Sequence, residues 1–258
     1  MKRKILVFLV CFFVIAAAMP ASVFASTENA KKLNQLKYSG VKAYDTALPT
    51  KGAKKTEKQI NALIKKLPHK VSGKGDATYS HTLSFHKSTS AAKGNYDYVS
   101  KDKLWVKYDK MTKFSFSYNV RQRFLSSSQA TVYDLTIEDK NYNYYYSWVK
   151  GRKDGHLYKE NKTKISGGST SAGKKSNYKL YSDAKVLGEK CLVYSYDYKF
   201  EDFKCTEYLF ISRKTGDTLK SVYVSGDGIF TTITFDRRLV SKPASFYKPP
   251  KNVTFNEY

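Results

Sequence analysis

The sequence predicts a mainly β protein of the α+β class, an antiparallel meander of many strands preceded by one helix. The 258 residues include 22 Tyr and 15 Phe. Most of these aromatic residues alternate with polar ones, as in strands that are buried on one face. Strand-like runs follow one another at a spacing of about ten residues and are joined by tight turns. A meander of about eight or more strands curls into a barrel or a deeply curved sheet.

Residues 1–25, MKRKILVFLVCFFVIAAAMPASVFA, have the features of a secretory signal peptide. A basic start precedes an apolar run over residues 5–18, and Pro20 follows that run. We expect cleavage between Ala25 and Ser26, which predicts a secreted or extracytoplasmic protein of the cell envelope. The alternative is an uncleaved N-terminal anchor, although the run is shorter than the ~20 apolar residues of a spanning helix.

The chain is strongly basic, because 46 Lys and Arg against 22 Asp and Glu give a formal net charge of +24. Such a balance often marks nucleic-acid binding. For an exported protein the available polyanions are instead anionic membrane surfaces and wall polymers, so we predict no nucleic-acid partner. The lysines are spread from Lys31 to Lys251. A solvated basic surface without a specific partner is therefore an equal alternative.

Ahead of the predicted strands, the chain changes character at about residue 55. Residues 26–54 are rich in Lys, Ala, Ser and Thr with little apolar periodicity, and they predict a flexible basic lead-in. From Thr56, TEKQINALIKKL predicts a short amphipathic helix that Pro68 ends. Its apolar stripe must dock on another element. The stripe consists of Ile60, Leu63, Ile64 and Leu67.

After the helix, alternation of apolar and polar residues predicts a series of strands. The clearest is KFSFSYNV, in which Phe114, Phe116, Tyr118 and Val120 face one way. Further strands are predicted for ATYSHTLSFH, DKLWVKYDK, TVYDLTIED, YNYYYSWV, KCLVYSYDYKF, CTEYLFIS, TLKSVYVS and IFTTITFD. Residues 161–177 are rich in Gly, Ser and Lys and predict a polar loop.

Two cysteines follow the leader, Cys191 and Cys205, and they flank a predicted hairpin whose tip lies near residues 200–202. In that register Cys191 faces Ile211 and Cys205 faces Asp197. The two cysteines are then about 20 Å apart along the ladder. A disulfide needs Cα atoms within about 7 Å. The register therefore argues against a bridge, and a different register would leave the question open.

Two other motifs suggest a phosphate-binding loop and a metal site, but each lacks a residue or a geometry that such a site needs. GSTSAGK at residues 168–174 resembles a phosphate-binding loop, but Lys175 stands where a Ser or Thr would hold magnesium. His81 and His86 lie five residues apart on a predicted strand, so they point to opposite faces and do not share a metal. We predict neither a metal site nor a cofactor.

The acidic residues are few, and two adjacent pairs of them lie in predicted turns at 138–139 and 201–202. Such pairs solvate hairpin tips more often than they act as an acid and base. The sequence contains neither a nucleophile elbow nor a recognisable Cys–His pair. We therefore predict no enzymatic activity, and a hydrolase that uses the acidic pairs is the weaker alternative.

Six segments occur in an order that is informative together. IKKLPHKVSGKGDATYSHTLSF, KLWVKYDKMTKFSFSY and TVYDLTIEDKNYNYYY are followed by AKVLGEKCLVYSY, EYLFISRKTGDTLK and ITFDRRLVSKPASFYKPPKNVTF. Gly188 and Glu189 precede a strand in the fourth segment, and Phe246, Pro249 and Pro250 mark the last. From about Thr56 to the C-terminus, the chain resembles the bacterial lipoprotein carriers of the LolA/LolB-like superfamily.

The resemblance implies an unclosed β-barrel over residues 55–258, lidded by the predicted helix, that holds a lipid, an acyl chain or an acylated protein. The resemblance also implies a cavity lining, to which an ordinary closed core is the equal alternative. In that alternative the protein is a structural or adhesive envelope protein whose basic surface binds anionic polymers. The candidate lining residues are Phe114, Phe116, Tyr118, Tyr133, Leu135, Tyr144 and Tyr146.

Overall fold

The structure, a computed structural model, describes residues 21–89, 96–109, 114–124, 130–162, 173–200 and 203–258. It describes only the backbone of residues 21–27, 109 and 114. The helices are α1 (Ala21–Gln35), α2 (Glu57–Lys65) and the 3₁₀ helices η1 (Tyr38–Tyr44) and η2 (Ala244–Tyr247). The strands are β1 (Ala53–Lys54), β2 (Ser72–Gly73), β3 (Ala77–Ser88), β4 (Tyr98–Asp109), β5 (Phe114–Arg123), β6 (Thr131–Glu138), β7 (Tyr142–Val149), β8 (Asp154–Asn161), β9 (Lys174–Val186), β10 (Glu189–Phe200), β11 (Phe203–Ser212), β12 (Thr218–Ser225), β13 (Gly228–Val240) and β14 (Thr254–Glu257).

All the strands belong to one sheet in the order β1-β9-β10-β11-β12-β13-β3-β4-β5-β6-β7-β8-β14, with β2 beside β13. The pairs are antiparallel except that β2 runs parallel to β13 and β14 runs parallel to β8. The sheet is curved but does not close into a barrel, and helical segments are few. The predicted fold class is therefore confirmed.

Alternate residues of each strand define two faces of the sheet, which we call the inner and the outer face. On β10, Val193 lies on the inner face and Leu192 on the outer face. The inner face of β3, β4 and β9–β13 forms one apolar core, around which this part of the sheet curves. The buried strand residues of this core are Leu83, Phe85, Val99, Tyr181, Val186, Cys191, Val193, Phe210, Val222, Ile233 and Phe235.

The predicted amphipathic helix exists as α2 and begins at the predicted cap, Thr56. The Thr56 side chain accepts a hydrogen bond from the backbone of Gln59, and the Gln59 side chain accepts one from the backbone of Thr56. Its predicted position as a lid is wrong. Ile60 is fully buried against Leu192 and Tyr194, on the outer face of the sheet. The reason is that alternation on β10 leaves a second apolar stripe on that face.

The prediction of a flexible lead-in over residues 26–54 is also wrong. Helix α1 and η1 lie against the inner face, where Leu33 and Val41 are fully buried members of the core. The apolar residues of this segment are too sparse to show a helical period, so its order comes from tertiary contacts. Residues 1–20 lie outside the described ranges. The predicted cleavage site between Ala25 and Ser26 falls within α1, and cleavage there stays a prediction.

The predicted strands from β3 to β7 and from β10 to β13 are confirmed with shifts at their ends. Strands β1, β2, β8 and β14 were not predicted. Strand β9 was not predicted either, and its first residues fall in the predicted loop at 161–177. Its burial does not follow a period of two, because register shifts interrupt its pairing with β10. The remainder of that loop, residues 163–172, lies outside the described ranges, as does most of the motif at 168–174.

The register of the β10–β11 hairpin differs from the predicted one by one residue. Cys191 pairs with Ser212 and Cys205 pairs with Tyr198, because Phe200 pairs with Phe203 across the turn. The two cysteines lie on opposite faces of the sheet. Both are buried and free, so they do not form a disulfide. Within the described ranges, no helix combines the length and apolar character needed to cross a membrane.

Candidate binding site beside helix α1

The curved part of the inner face is occupied by the chain's own N-terminal segment, residues 29–48. Leu33 and Val41 are buried members of the core, and Leu36, Tyr44 and Leu48 pack against it. The Tyr44 ring meets Phe235 edge to face, with centroids 5.2 Å apart. The hollow of the sheet is therefore filled by side chains that come from outside the sheet.

Two buried lysines of the inner face hold this segment in place. Lys101 is 7% exposed and donates from Nζ to the carbonyl oxygens of Asn34, at 3.0 Å, and Leu36, at 3.2 Å. Lys220 is 3% exposed, and its Nζ donates to Thr46 Oγ1 at 2.6 Å. Burial lowers the pKa of both ammonium groups, and Lys103 adds to the effect at Lys101. These contacts satisfy the lysines with neutral oxygen atoms.

At its C-terminal end, the segment is fastened to the sheet by Asp45. The Asp45 carboxylate accepts hydrogen bonds from Lys87 Nζ and, at 3.0 Å, from the hydroxyl of Tyr96. The Tyr38 hydroxyl donates to the Tyr96 carbonyl oxygen at 3.1 Å. Burial and the neighbouring carboxylate raise the pKa of the Tyr96 hydroxyl. These contacts of Asp45 lie at the rim of the hollow, where the side chains are partly exposed.

A cavity of about 460 Å³ opens at the other end of the segment, where Asn29 of α1 forms part of its wall. Leu187, Leu219 and Phe235 line the cavity and belong to the apolar core or pack against it. Leu187 lies in the β9–β10 turn with a left-handed backbone, φ 49°. The cavity is thus an apolar recess that continues the filled hollow toward solvent.

The rim of this cavity carries charges of both signs. The exposed Lys70 and Lys214 lie beside Asp217, which is 8% exposed and accepts a hydrogen bond from Arg237 Nη1 at 2.5 Å. Burial raises the pKa of the Asp217 carboxyl, against the opposing effect of Arg237. An apolar recess with a charged rim fits a ligand that has an apolar chain and a polar head.

The residues predicted to line a cavity are brought together, but at the other end of the sheet. Tyr118, Tyr133 and Leu135 lie on the inner face of β5 and β6, and Leu135 is 1% exposed. The Tyr118 and Tyr133 rings are stacked at 6.4 Å, and Tyr133 stacks on Trp148 at 5.3 Å. These residues form an aromatic cluster with Tyr146.

The C-terminal segment covers this cluster. Phe246 meets Tyr118 edge to face at 4.8 Å, and Phe255 meets Tyr146 at 5.1 Å. A Cβ atom at Gly155 would lie only 2.8 Å from the Phe255 ring, so the close cover requires glycine at that position.

The remaining predicted lining residues lie at the margin of the same face. Phe116 lies 5.7 Å from the Tyr247 ring. Tyr144 lies beside Tyr142 under the ammonium of Lys159, and the Phe114 side chain lies outside the described part of the chain. The sequence missed the recess beside α1, because its walls come from turns and from the N-terminal segment.

The structure places the histidines and one of the acidic pairs that the sequence singled out. Register pairing places His81 and His86 on opposite faces, as predicted. Asp139 Oδ1 accepts hydrogen bonds from the backbone of Asn141 and Tyr142, each at 2.7 Å, so it stabilises a turn. Among the described residues, no three His, Cys, Asp or Glu side chains gather as metal ligands do. Residues 201–202 lie outside the described ranges.

Comparison with known proteins gives a weak likeness of fold. No protein-family model matches the chain, and no curated protein matches it. A solved structure of a LolA superfamily protein from Nitrosomonas europaea aligns with a TM-score of 0.30 and 8% identity, covering 73% of this chain and 97% of that one. A likeness this low does not establish the family, so the function must be argued from the residues themselves.

Proposed function

We propose that this is an exported, non-enzymatic binding protein that takes up a lipid or an acyl chain at the recess beside α1. The observation that carries the proposal is the continuity between the recess and the apolar core around Leu33. The polar head of the ligand would stay at the rim, near Lys70 and Lys214. An acidic head would be attracted by the exposed ammonium groups of Lys70 and Lys214.

The occupied hollow suggests how a long chain could be accommodated. The N-terminal segment contributes separate side chains to the core, including Leu33 and Leu36, rather than a paired strand. An acyl chain that replaces them exchanges one set of apolar contacts for another, so the burial of each methylene, about 0.8 kcal/mol, offsets the exposure of the side chains that it displaces. The segment would then act as an internal occupant that the ligand displaces.

Fluorescence titration with dansyl-undecanoic acid tests the proposal. We expect the exported protein to enhance the probe's emission and Leu187→Asn to weaken its binding roughly tenfold, because an amide replaces an apolar wall. Asn tolerates the left-handed backbone at this position, so the fold should survive. Leu157→Asn is the matched control, since Leu157 does not line this recess. Dansyl amide, which has no chain, should not bind.

Native mass spectrometry and lipid extraction of the protein from its own host give a second measurement. A co-purifying acyl species that Leu187→Asn removes would support the proposal. A clean apo mass, together with no emission gain from the probe, would overturn it. That result would favour the alternative, an envelope protein with a permanently packed core whose basic surface binds anionic polymers.

A further inference from the structure

The outer face of the sheet carries a second, separate cleft that is rich in aromatic side chains. Its volume is about 600 Å³, within the range of about 300–1,000 Å³ that is usual for ligand sites. Strand pairing puts Phe230 beside both His86 and Tyr223. Tyr223 is 38% exposed and Phe203 is 49% exposed, so their rings are open to a ligand. Tyr98 lies 6.0 Å from Phe230 and completes the aromatic wall.

A buried network fixes the polar wall of this aromatic cleft. The Tyr98 hydroxyl donates to Ser100 Oγ at 2.9 Å, and Ser100 Oγ donates to Asp102 Oδ2 at 2.6 Å. Arg121 Nε donates to the other oxygen of Asp102 at 2.9 Å. Ser100 is fully buried and Asp102 is 8% exposed. Such a network holds Tyr98 and Arg121 in one orientation before any ligand arrives.

Arg121 also lines a second cleft of about 370 Å³ that continues along the outer face. This polar cleft presents hydroxyl, amide and carboxylate groups, including those of Ser117, Asn119 and Asp134. Ser147 Oγ donates to Asp134 Oδ1 at 2.8 Å. The side-chain oxygen of Asn119 is shielded from solvent and has no hydrogen-bond partner among the described residues. The Asp134 carboxylate and the Ser117 hydroxyl line the polar cleft and can accept hydrogen bonds from a ligand.

We propose that these two clefts form one elongated site for a glycan chain. Sugar rings would stack their flat C–H faces on the rings of Phe203, Tyr223 and Phe230 in the aromatic cleft. The next sugars would donate hydroxyl hydrogen bonds to Asp134 and Ser117 in the polar cleft. The site is independent of the recess beside α1, because it lies on the opposite face of the sheet.

The charged groups that line the two clefts favour an uncharged glycan over an anionic polymer as the ligand. Arg121 is paired with Asp102, and Asp134 and Asp227 add negative charge to the lining. His86 Nδ1 is paired with Asp97, at 2.8 Å. An anionic polymer would meet carboxylates there, whereas hydroxyl groups find acceptors. The clefts therefore favour an uncharged sugar chain, although the protein as a whole is strongly basic.

Isothermal titration calorimetry with a β-1,4-linked N-acetylglucosamine tetramer tests this site. We expect the unmodified protein to bind the tetramer, and Tyr223→Ala to weaken the affinity about tenfold through loss of a stacking ring. Tyr258→Ala is the matched control, because Tyr258 is 75% exposed and lines neither cleft. Asp134→Ala should also weaken binding, through the polar cleft.

Dextran sulfate in the same titration separates specific binding from attraction by charge. Binding of dextran sulfate alone, abolished by salt and unchanged in Tyr223→Ala, would overturn the proposal, as would no binding of the tetramer. Circular dichroism of Tyr223→Ala confirms that the variant is folded. Dansyl-undecanoic acid binding should be the same in Tyr223→Ala as in the unmodified protein. The two proposed sites are therefore tested independently of each other.

Discussion

At the scale of single residues, the inner face buries groups that are usually ionised or polar. His81 is 1% exposed and lies between Lys103 on β4 and Asp236 on β13 in the strand register, with Lys101 nearby. Burial, with the two lysines, lowers the pKa of its imidazole to about 4. The folded protein therefore holds His81 neutral, next to the tyrosine ring of Tyr79.

This histidine should make the protein sensitive to mild acid. Between pH 6.5 and pH 4 the unfolded chain binds a proton at His81 that the folded chain does not, so stability falls as the pH falls. The loss is about 3 kcal/mol at its full extent, complete near pH 4. In urea unfolding at pH 7 and pH 4.5, His81→Gln should show a much smaller acid loss. The exposed His156→Gln is the control, and an unchanged acid loss in His81→Gln would contradict the assignment.

The two cysteines should be unreactive in the folded state. Burial raises the pKa of the Cys191 thiol to about 11, and it also raises the pKa of the Cys205 thiol. Little thiolate is then present at pH 8. We expect Ellman's reagent to modify neither thiol in native protein and both in urea without reductant. No reaction in urea would mean that the two cysteines are joined by a disulfide, against the observed register.

At the scale of elements, helix α2 shows which features local sequence signals predict and which they do not. The Thr56 and Gln59 capping box, the apolar stripe and the following proline all predict the helix, and all are present. Which face of the sheet the helix covers is not encoded locally. It follows from the outer stripe on β10, where Leu192, Tyr194 and Tyr196 are buried.

The cap makes a measurable contribution to stability. Gln59 N donates to Thr56 Oγ1 at 3.2 Å, so Thr56→Ala leaves a helix donor without its partner and should cost about 1 kcal/mol. Urea unfolding measures this loss. Thr50→Ala serves as the control, because Thr50 is exposed and precedes the helix. Equal losses in the two variants would show that the capping hydrogen bond contributes nothing.

The N-terminal segment and β9 are two of the elements that the sequence pattern did not predict. Leu33 and Val41 are isolated apolar residues in a polar segment, so they carry no periodic signal. In β9, Tyr181 and Ala184 both pack on the inner core although they lie three positions apart, because a register shift falls between them. Both elements are ordered by long-range contacts, which a window of neighbouring residues does not contain.

At the scale of the whole molecule, one sheet supports two separate cores on its inner face. The N-terminal segment fills the part formed by β3, β4 and β9–β13, while the C-terminal segment covers the aromatic cluster on β5–β7. Because the strands are hydrogen-bonded into one sheet, we expect a single cooperative unfolding transition.

Both tryptophans report on the part of the sheet that the C-terminal segment covers. Trp105 meets Phe246 at 5.2 Å and Trp148 meets Phe255 at 5.8 Å. Phe255→Ala should cost about 2 kcal/mol and shift tryptophan emission to the red, because Trp148 loses its cover. Fluorescence and urea unfolding measure both effects. Tyr258→Ala should change neither, and unchanged emission in Phe255→Ala would contradict the described packing.

The sequence by itself determined the chain's fold class, most of its strands and helix α2, because alternation and capping are local signals. It also grouped most of the inner-face residues of β5–β7 correctly, since a period of two places them on one side. Only the tertiary structure decided what covers each face. That choice depends on contacts between segments far apart in sequence, such as Leu33 with the curved sheet and Phe255 with Tyr146.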